Sequence, residues 1–421
     1  MVVASIDIQN GKVVQLKQGS ELMLERDDLA ALAEEFDRYG EVAVIDLDAA
    51  MGKGSNIELI KPLLRKAECR VGGGIRTPEQ ARELVSLGAQ KIIIGSAAFR
   101  DSSQKFRLNT ELLEAFVKKI GRQRIVLAVD ARNGEIVADA WKTATGLKLV
   151  ETAQAAEKYV SEFLFTCVER EGTMTGIDME QVRLLREAVS AIVTVAGGVS
   201  TLDEIERLAE MGCDVQLGMA LYTGKINLAD AFIRSLNWKK TGGMIPVIAQ
   251  AVDGQVLMTG YADREAVGET FKRGNLCFHS RTRDKLWMKG EHSGNTLAVK
   301  KVRADCDRDA LLAVVEPLGK VCHTGAWSCF GTSRSYTWEY LQSVIADRFR
   351  NPVPGSYTAT LDDKLVREKV MEEAEEVCTA KTHDEVVWEA ADLLYFTTAL
   401  MTRSGVSVTE VLDELDRRHK K

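Results

Sequence analysis

The first 230 residues alternate short apolar runs with segments in which apolar residues recur every three or four positions. The runs KIIIG (91–95) and AIVTVAGG (191–198) are almost continuously apolar and rich in β-branched residues, whereas TLDEIERLAEMGC (201–213) has helical spacing. Alternating strands and helices predict a parallel sheet with crossover helices. Strands that are apolar throughout predict a sheet covered on both faces.

The same region repeats itself once along the chain. IDIQNGKVV around Asp7 resembles VDARNGEIV around Asp130, GGIRT from Gly73 resembles GGVST from Gly197, and IIIGSAAF resembles VQLGMALY. Two halves of about four strand–helix units each give eight units, and the simplest closed fold of eight such units is a (β/α)8 barrel. A doubly wound open sheet is the competing fold, but it does not explain the repeat.

The pattern changes twice beyond the barrel. The segment SLNWKKTGGMIPV (235–247) predicts a linker, and residues 247–330 predict a small β-rich domain with a hairpin in VIAQAVDGQVLMTGY and strands in LAVKKVRADCD and LLAVVEP. After Phe330 the spacing predicts an all-α domain with helices over 340–349, 361–380, 384–402 and 406–418. The resulting multidomain α/β chain has expected domains at 1–236, 243–332 and 336–421.

Composition narrows the class of protein. The chain of 421 residues has a formal net charge of −7, which argues against a nucleic-acid binder. It shows neither a long apolar run nor an export signal at its start, so we expect no membrane span and a cytoplasmic location. In a reducing compartment, clustered thiols bind metal more often than they form disulfides.

The densest chemistry lies in DCDRDALLAVVEPLGKVCHTGAWSCF, residues 305–330. Alternation along a strand would place Asp305, Asp307 and Asp309 on one face, which suits a hard cation such as Mg2+. Three thiols suit zinc, and three ligands plus water is the arrangement of a catalytic zinc. The thiols are those of Cys306, Cys322 and Cys329. His323 could move protons; the alternative is a solvated loop with core cysteines.

The motif FHSRTRDKLWMKGEHSGN (278–295), followed by DCDRDALL and CHTGAWSCF, resembles phosphoribosyl-AMP cyclohydrolase of histidine biosynthesis. The resemblance implies hydrolytic opening of the purine ring, with zinc on the three cysteines activating water and Mg2+ on the three aspartates holding substrate phosphate. Further phosphate and ribose contacts are expected from Arg281, Arg283, Lys289, Ser293 and Asn295. His279 departs from the family, which usually has an aromatic residue there.

Acidic residues are grouped on two of the predicted C-terminal helices. In KVMEEAEEVCTA, Glu372 and Glu376 are four apart and share a helix face with Glu373, and EAADLLYF adds Glu389 and Asp392. Acids interleaved with apolar residues need a partner, and a cation is one. The two helices therefore predict an Mg2+ cluster; the alternative is a solvated acidic face.

These motifs resemble phosphoribosyl-ATP pyrophosphatase. The match includes SYTATL (356–361), EAADLLYF (389–396) and LDRRH (415–419), and Phe396 is typical of the fungal multifunctional histidine enzymes. The resemblance implies that Mg2+ held by the five acids binds the triphosphate and orients water, giving phosphoribosyl-AMP and pyrophosphate. Family members pair their helices, so a homodimer is expected.

The barrel resembles the ProFAR isomerase family through IDIQNGKVVQLKQG, VIDLDAAMGKGSN, VGGGIRT and VAGGVST. The resemblance implies two phosphate sites and an Amadori-type rearrangement. The phosphate sites would lie at the glycine pairs Gly73, Gly74 and Gly197, Gly198. The twofold-related Asp7 and Asp130 would supply the acid and base on opposite sides of the sugar, with Asp7 as the base; Thr166 matches a family threonine beside the site.

Four positions in the barrel depart from that family. Gln15 and Met219 replace arginines, Glu171 replaces an aspartate, and Ala196 replaces a serine. Loss of two cations weakens binding of a bisphosphate, so the barrel is either an active isomerase or a non-catalytic binding module or scaffold. The chain is expected to catalyse consecutive steps of histidine biosynthesis on phosphoribosyl nucleotides; action on other nucleoside triphosphates is the alternative.

Overall fold

The computed structural model describes residues 1–100, 103, 105–331, 333 and 336–419, apart from four side chains near the C-terminal end. The chain forms two compact units. One comprises Met1–Gln250 with Val256–Gly325, and the other Ala251–Gln255 with Ala326–Lys421. In the described ranges, every helix is too short or too polar to cross a bilayer.

Eight parallel strands close into a barrel in the first unit. Their bounds are Val2–Gln9, Val42–Asp46, Cys69–Gly72, Lys91–Ile94, Ile125–Ala128, Glu162–Thr166, Ile192–Ala196 and Asp214–Leu217. The last strand pairs with the first, with Val2 beside Val215 and Ala4 beside Leu217, which closes the ring. The predicted (β/α)8 fold is confirmed, and the doubly wound alternative is wrong.

Helices alternate with the barrel strands, and two short ones, Leu47–Met51 and Met219–Tyr222, follow directly at the C-terminal ends of their strands. Their bounds are Leu29–Asp37, Leu47–Met51, Ile57–Leu63, Pro78–Ser86, Thr110–Ile120, Leu149–Ala156, Met179–Ala188, Leu202–Glu210, Met219–Tyr222 and Leu228–Ser235. The repeat seen in the sequence recurs in how two of them begin. Thr77 and Gln80 form a capping box at one helix, and Thr201 and Glu204 form one at the equivalent helix of the second half.

Antiparallel strands follow the first barrel strand of each half, as an extension of the barrel sheet in the first half and as a separate three-stranded sheet in the second. They are Lys12–Lys17 and Glu21–Arg26 in the first half, and Ala131–Arg132, Glu135–Ala138 and Thr143–Lys148 in the second. The separate sheet contains a strained turn, because Asp139, Ala140 and Trp141 all have positive φ, at 56°, 55° and 67°. That turn brings Trp141 to the rim of the barrel cavity.

The β-rich domain is built on a four-stranded antiparallel sheet. Its strands are Ile245–Ala251, Val256–Ala262, Leu297–Ala304 and Leu311–Pro317, and it also contains the helix Arg264–Arg273 and the hairpin Cys277–Ser280 with Lys285–Met288. The hairpin predicted in VIAQAVDGQVLMTGY is confirmed.

The prediction that a strand carries the three aspartates is wrong. The strand ends at Ala304, and residues 305–309 form a turn. The carboxylate of Asp305 accepts hydrogen bonds from the backbone amides of Asp309 and Ala310, at 2.9 and 3.1 Å. Arg308 adopts φ 63°. An aspartate that caps its own turn in this way competes with continuation of the strand.

The β-rich domain packs on the N-terminal ends of the barrel strands. The ammonium group of Lys301 lies 2.6 Å from Asp37 and 3.0 Å from Glu68, two residues that precede barrel strands. Phe271 stacks against Tyr39 with ring centroids 4.4 Å apart. In a barrel of this type the C-terminal ends of the strands carry the site, so this interface leaves that face open.

Four helices form the second unit. They are Trp338–Arg350, Asp363–Thr379, His383–Arg403 and Val408–His419, which confirms the four predicted helices with small shifts at their ends. Their core is formed by Leu341, Ile345, Val366, Phe396 and Ala399. In the LDRRH motif, the side chains of Asp416, Arg417 and His419 lie outside the described part of the structure.

Candidate functional site

A cavity of about 280 Å³ opens at the C-terminal ends of the barrel strands. The residues that the sequence singled out in both halves line it together. They are Asp7, Gly73, Gly74, Asp130, Thr166, Glu171, Gly197 and Gly198. The repeat therefore places equivalent positions of the two halves around one site.

The glycine pairs bring bare backbone to the cavity wall. Gly73 and Gly74 have φ 98° and 69°, and Gly197 and Gly198 have φ 90° and 87°. A Cβ atom at Gly73 would lie 2.1 Å from the carbonyl oxygen of Asp46, so only glycine fits there. Each pair precedes a threonine-capped helix. Exposed amides near a helix start suit an anion such as phosphate.

Three carboxyl groups share this cavity. Burial raises the pKa of Asp7 to about 6, and it raises the pKa of Asp130 despite hydrogen bonds from Trp141 and Thr166. Burial, with the charges of Asp7 and Asp130, raises the pKa of Glu171 to about 8. The cavity therefore gathers three carboxyl groups whose pKa values are all raised, which suits groups that exchange protons with a substrate near neutral pH.

The raised pKa of Glu171 makes stability depend on pH. Because the folded protein holds this proton more tightly than the unfolded chain, the group costs stability as pH rises from about 4.5 to about 8. We expect Glu171→Gln to stabilise the protein by about 2 kcal/mol near pH 9 and by almost nothing near pH 4.5, after allowance for water in the cavity. Urea unfolding at both pH values measures this, with the exposed Glu58→Gln as control; an equal gain at both would contradict it.

Sequence reasoning missed two cavity residues. The indole Nε1 of Trp141 donates a hydrogen bond to Asp130 at 2.8 Å, and Arg76 lies beside the first glycine pair, where it bonds the carbonyl oxygen of Gly74 at 3.3 Å. Arg76 stands within the quoted VGGGIRT motif and could have been found there. Trp141 lies in the turn between the strands Glu135–Ala138 and Thr143–Lys148, where the repeat aligns it with Gln18 of the first half, so the repeat gave no signal for it.

Two buried residues of the cavity wall are neutral. Gln15 and Met219, which stand where the resembling family has arginines, are buried in the cavity wall. The carboxyl oxygen Oε2 of Glu171 would lie 3.0 Å from a Cβ atom at Gly197. An anion at the second glycine pair therefore meets a carboxyl group beside Gly197, with the side chain of Arg170 next to Gly198, whereas the first pair has the cation of Arg76.

The three aspartates of the β-rich domain come together although they lie on a turn. A carboxylate oxygen from each of Asp305, Asp307 and Asp309 lies within 4.8 Å of the others. The ammonium group of Lys240 bonds Asp307 and lies 2.5 Å from Asp309. These hydrogen bonds raise the pKa of Lys240 and lower that of Asp307. Sequence reasoning missed Lys240 because its segment was interpreted as a linker.

The predicted zinc ligands are divided between the two units. Cys306 is exposed on the aspartate turn, Cys322 is half-buried in the first unit, and Cys329 is exposed in the second. The hydroxyl of Thr324 donates to the sulfur of Cys322 at 3.1 Å, and Nδ1 of His323 lies 3.9 Å from that sulfur. Within the described residues, the trios of metal-binding atoms closer than 4.8 Å are carboxylates, so zinc binding stays a prediction.

The predicted phosphate contacts lie on the hairpin and the turn after it. Arg281 stacks 3.7 Å above the ring of Tyr261, and Arg283 bonds the hydroxyl of Ser280 at 3.4 Å. The amide of Asn295 donates to the carbonyl oxygen of Lys320 at 2.9 Å. Lys289 is half-buried and Ser293 is exposed.

His279, the one departure from the cyclohydrolase pattern, lies between two carboxylates. Its ring nitrogens are 2.6 Å from Asp263 and 3.0 Å from Asp284. The hydrogen bond to Asp284 and the charge of Asp263 raise its pKa. An ion-paired imidazole therefore stands in place of an aromatic ring.

A second carboxylate cluster lies between two helices of the second unit. Oxygens of Glu373, Glu376 and Glu389 lie within 4.8 Å of one another, and Glu373 is buried. Burial and the charges of Glu376 and Asp392 raise the pKa of Glu373. Glu372 instead forms an ion pair with Lys369 at 2.8 Å. Like charges gathered this closely are stabilised by a cation, which fits oxygen-ligated Mg2+.

A barrel with paired glycine loops at its cavity, joined to two domains with carboxylate clusters, is typical of a multidomain enzyme. Residues 1–227 match the family described as histidine biosynthesis protein. Residues 258–331 match phosphoribosyl-AMP cyclohydrolase, and residues 339–419 match phosphoribosyl-ATP pyrophosphohydrolase. The chain belongs to the histidine biosynthesis protein family and carries both hydrolase domains of that pathway.

Curated relatives resemble the C-terminal part of the chain. The histidine biosynthesis bifunctional protein HisIE of Escherichia coli (strain K12) is 43% identical over 196 residues, which cover 44% of this chain and 97% of the relative. HisIE of Pyrococcus furiosus is 40% identical over 207 residues, covering 45% and 99% respectively. HisIE of Photobacterium profundum is 38% identical over 206 residues, covering 45% and 100%.

Proposed function

We propose that the chain hydrolyses phosphoribosyl-ATP to phosphoribosyl-AMP and pyrophosphate in the helical domain, and then opens the purine ring in the β-rich domain to give ProFAR. We propose domain bounds of 1–236, 243–332 and 336–421. The observation that carries the proposal is the pair of carboxylate trios, one in each hydrolase domain. A purified-protein substrate panel tests it, since turnover of other nucleoside triphosphates at an equal rate would favour the alternative that the hydrolase domains act on other nucleotides.

In the helical domain, Glu373, Glu376 and Glu389 are proposed to hold Mg2+, with Asp392 and Glu372 completing the set. The cation would supply charge that offsets a triphosphate. Glu373 supports this role, because it is buried among other acids and lacks enough positive charge beside it: Lys369 is 3.8 Å away and already pairs with Glu372. The ion would bring the triphosphate and a water molecule close to these acids.

In the β-rich domain, Asp305, Asp307 and Asp309 are proposed to hold Mg2+, and Cys306, Cys322 and Cys329 to hold zinc. A zinc ion on thiolates would supply a Lewis acid that lowers the pKa of bound water to about 7. His323, next to Cys322, is proposed to move a proton. Arg281, Arg283, Lys289, Ser293 and Asn295 are proposed to bind phosphate and ribose.

A homodimer is part of this proposal. The helices of the second unit expose large apolar side chains, with Met371, Val387 and Trp388 exposed to 72%, 58% and 69%. Such a surface suits a second copy of the chain. A monomeric mass in sedimentation equilibrium would contradict the homodimer.

A cytoplasmic location is also proposed. Its support is a set of buried thiols that are free, as in a reducing compartment: those of Cys69, Cys167, Cys213 and Cys277.

For the barrel, we propose isomerisation of ProFAR, with Asp7 as base and Asp130 as acid. The support is that Asp7, with a pKa near 6, shares one cavity with Asp130 and two phosphate loops. The neutral Gln15 and Met219 favour the alternative, a non-catalytic barrel that binds the intermediate or holds the hydrolase domains.

Product analysis separates these two roles of the barrel. If the barrel is an isomerase, Asp7→Asn should slow conversion of supplied ProFAR by about 100-fold or more, because the base is lost. Asp27→Asn, the same change at an exposed position, is the control. Accumulation of unisomerised ProFAR by the unchanged protein would retire the isomerase assignment and leave the binding role.

A further inference from the structure

The aspartate turn of the cyclohydrolase domain is attached to the barrel. The guanidinium group of Arg308 donates to the carbonyl oxygens of Ala209 and Cys213 at 2.8 and 2.9 Å. Ala209 lies in the last turn of a barrel helix, whose carbonyl groups attract a cation, and Cys213 directly precedes the last barrel strand. Arg308 is only 11% exposed at its side chain and lies 3.7 Å from Asp214.

A second attachment comes from the segment between the barrel and the sheet. The backbone amide of Asn237 donates to the carbonyl oxygen of Arg308 at 2.8 Å. Trp238, the next residue, is buried, and its indole bonds the carbonyl oxygen of Ile233 at 2.8 Å. This segment is therefore fixed on the barrel, and it holds Lys240 against Asp307 and Asp309.

We infer that the barrel sets the cation affinity of the aspartate turn, with Arg308 as the positioning residue and Lys240 as a tethered competitor for the divalent cation. Arg308 occupies a position between two of the aspartates, so its anchored guanidinium holds the left-handed turn on which they converge. Lys240 places its ammonium group where two of the three carboxylates meet. A divalent cation must displace that group to use both.

This inference rests on the cation role proposed for the aspartates, and Mn2+ binding to the full chain tests it. Free Mn2+ is followed by electron paramagnetic resonance in a background of Glu376→Gln with Glu389→Gln, which removes the helical cluster. Lys240→Gln should tighten Mn2+ binding roughly two- to fivefold, as expected for removal of an exposed ion pair. Arg308→Ala should weaken it about tenfold, and Arg308→Lys should recover part of the loss.

Two matched controls lie close by. Lys239→Gln removes an adjacent ammonium group that pairs with Glu210, and Arg303→Gln removes a guanidinium that binds Glu68 of the barrel without reaching the turn. Both should leave Mn2+ affinity unchanged. If Arg308→Ala lowers the melting temperature but not the affinity, Arg308 is structural only and the positioning role is overturned. If Arg308→Ala does not fold, Arg308→Lys and Lys240→Gln decide.

The double variant Asp307→Asn with Asp309→Asn separates this inference from the proposed function. Loss of Mn2+ binding there, with altered affinity in the Lys240 and Arg308 variants, supports both. Loss there with unchanged affinity in the Lys240 and Arg308 variants overturns only the inference. Full binding by the double variant overturns the cation role itself.

Discussion

Cys306→Ala is expected to slow opening of the purine ring on the order of 1000-fold, because the proposed zinc would no longer activate water. Pyrophosphate release from phosphoribosyl-ATP should continue at its original rate, since the carboxylate cluster that is proposed to serve it lies in the helical unit. Chromatography of the nucleotide products measures both steps, and elemental analysis measures zinc.

Cys378→Ala is the matched control, because Cys378 is also exposed but lies on the helix Asp363–Thr379. It should change neither zinc content nor ring opening. Retention of zinc and of ring opening in Cys306→Ala would show that the thiolate assignment is wrong, whatever the fate of the pyrophosphatase.

Glu376→Gln is expected to slow pyrophosphate release about 100-fold, because it removes one of the three carboxylates that converge between the two helices. Supplied phosphoribosyl-AMP should still be opened at the original rate. In magnesium-free buffer the variant should also melt at a slightly higher temperature. Burial and the charge of Glu376 raise the pKa of both Glu373 and Glu389, and that charge repels them when they are ionised.

The control for this variant is Glu375→Gln, one position earlier on the same helix and exposed. It removes the same charge from outside the trio, so pyrophosphate release should be unchanged. Equal losses in the two variants would indicate a general effect of helix charge and would count against a bound cation.

Much of the fold could be predicted because the sequence repeats. The matched motifs around Asp7 and Asp130 indicate two equivalent halves. Each half has about four short apolar strands with helices between them, and eight such units favour a closed barrel. The carboxylate cluster of the helices could also be predicted from the sequence. Residues three apart on a helix share a face, so Glu373 and Glu376 can both face Glu389 of the next helix.

The arrangement around the three aspartates could not be predicted, because it depends on tertiary contacts. The three aspartates converge by a turn that Asp305 caps and Arg308 anchors, whereas period-two spacing alone favoured a strand. Lys240 is brought to them by a segment whose Lys-Lys and Gly-Gly composition is typical of a linker. Local propensity is a weak guide where a side chain bonds its own backbone.

The most direct test is a time course of phosphoribosyl-ATP turnover with the unchanged protein, Cys306→Ala and Glu376→Gln. The unchanged protein should release pyrophosphate and then form the ring-opened product. Cys306→Ala should stop at phosphoribosyl-AMP, and Glu376→Gln should leave phosphoribosyl-ATP while still opening added phosphoribosyl-AMP. If either single substitution blocked both steps, two separate hydrolytic sites on this chain would be contradicted.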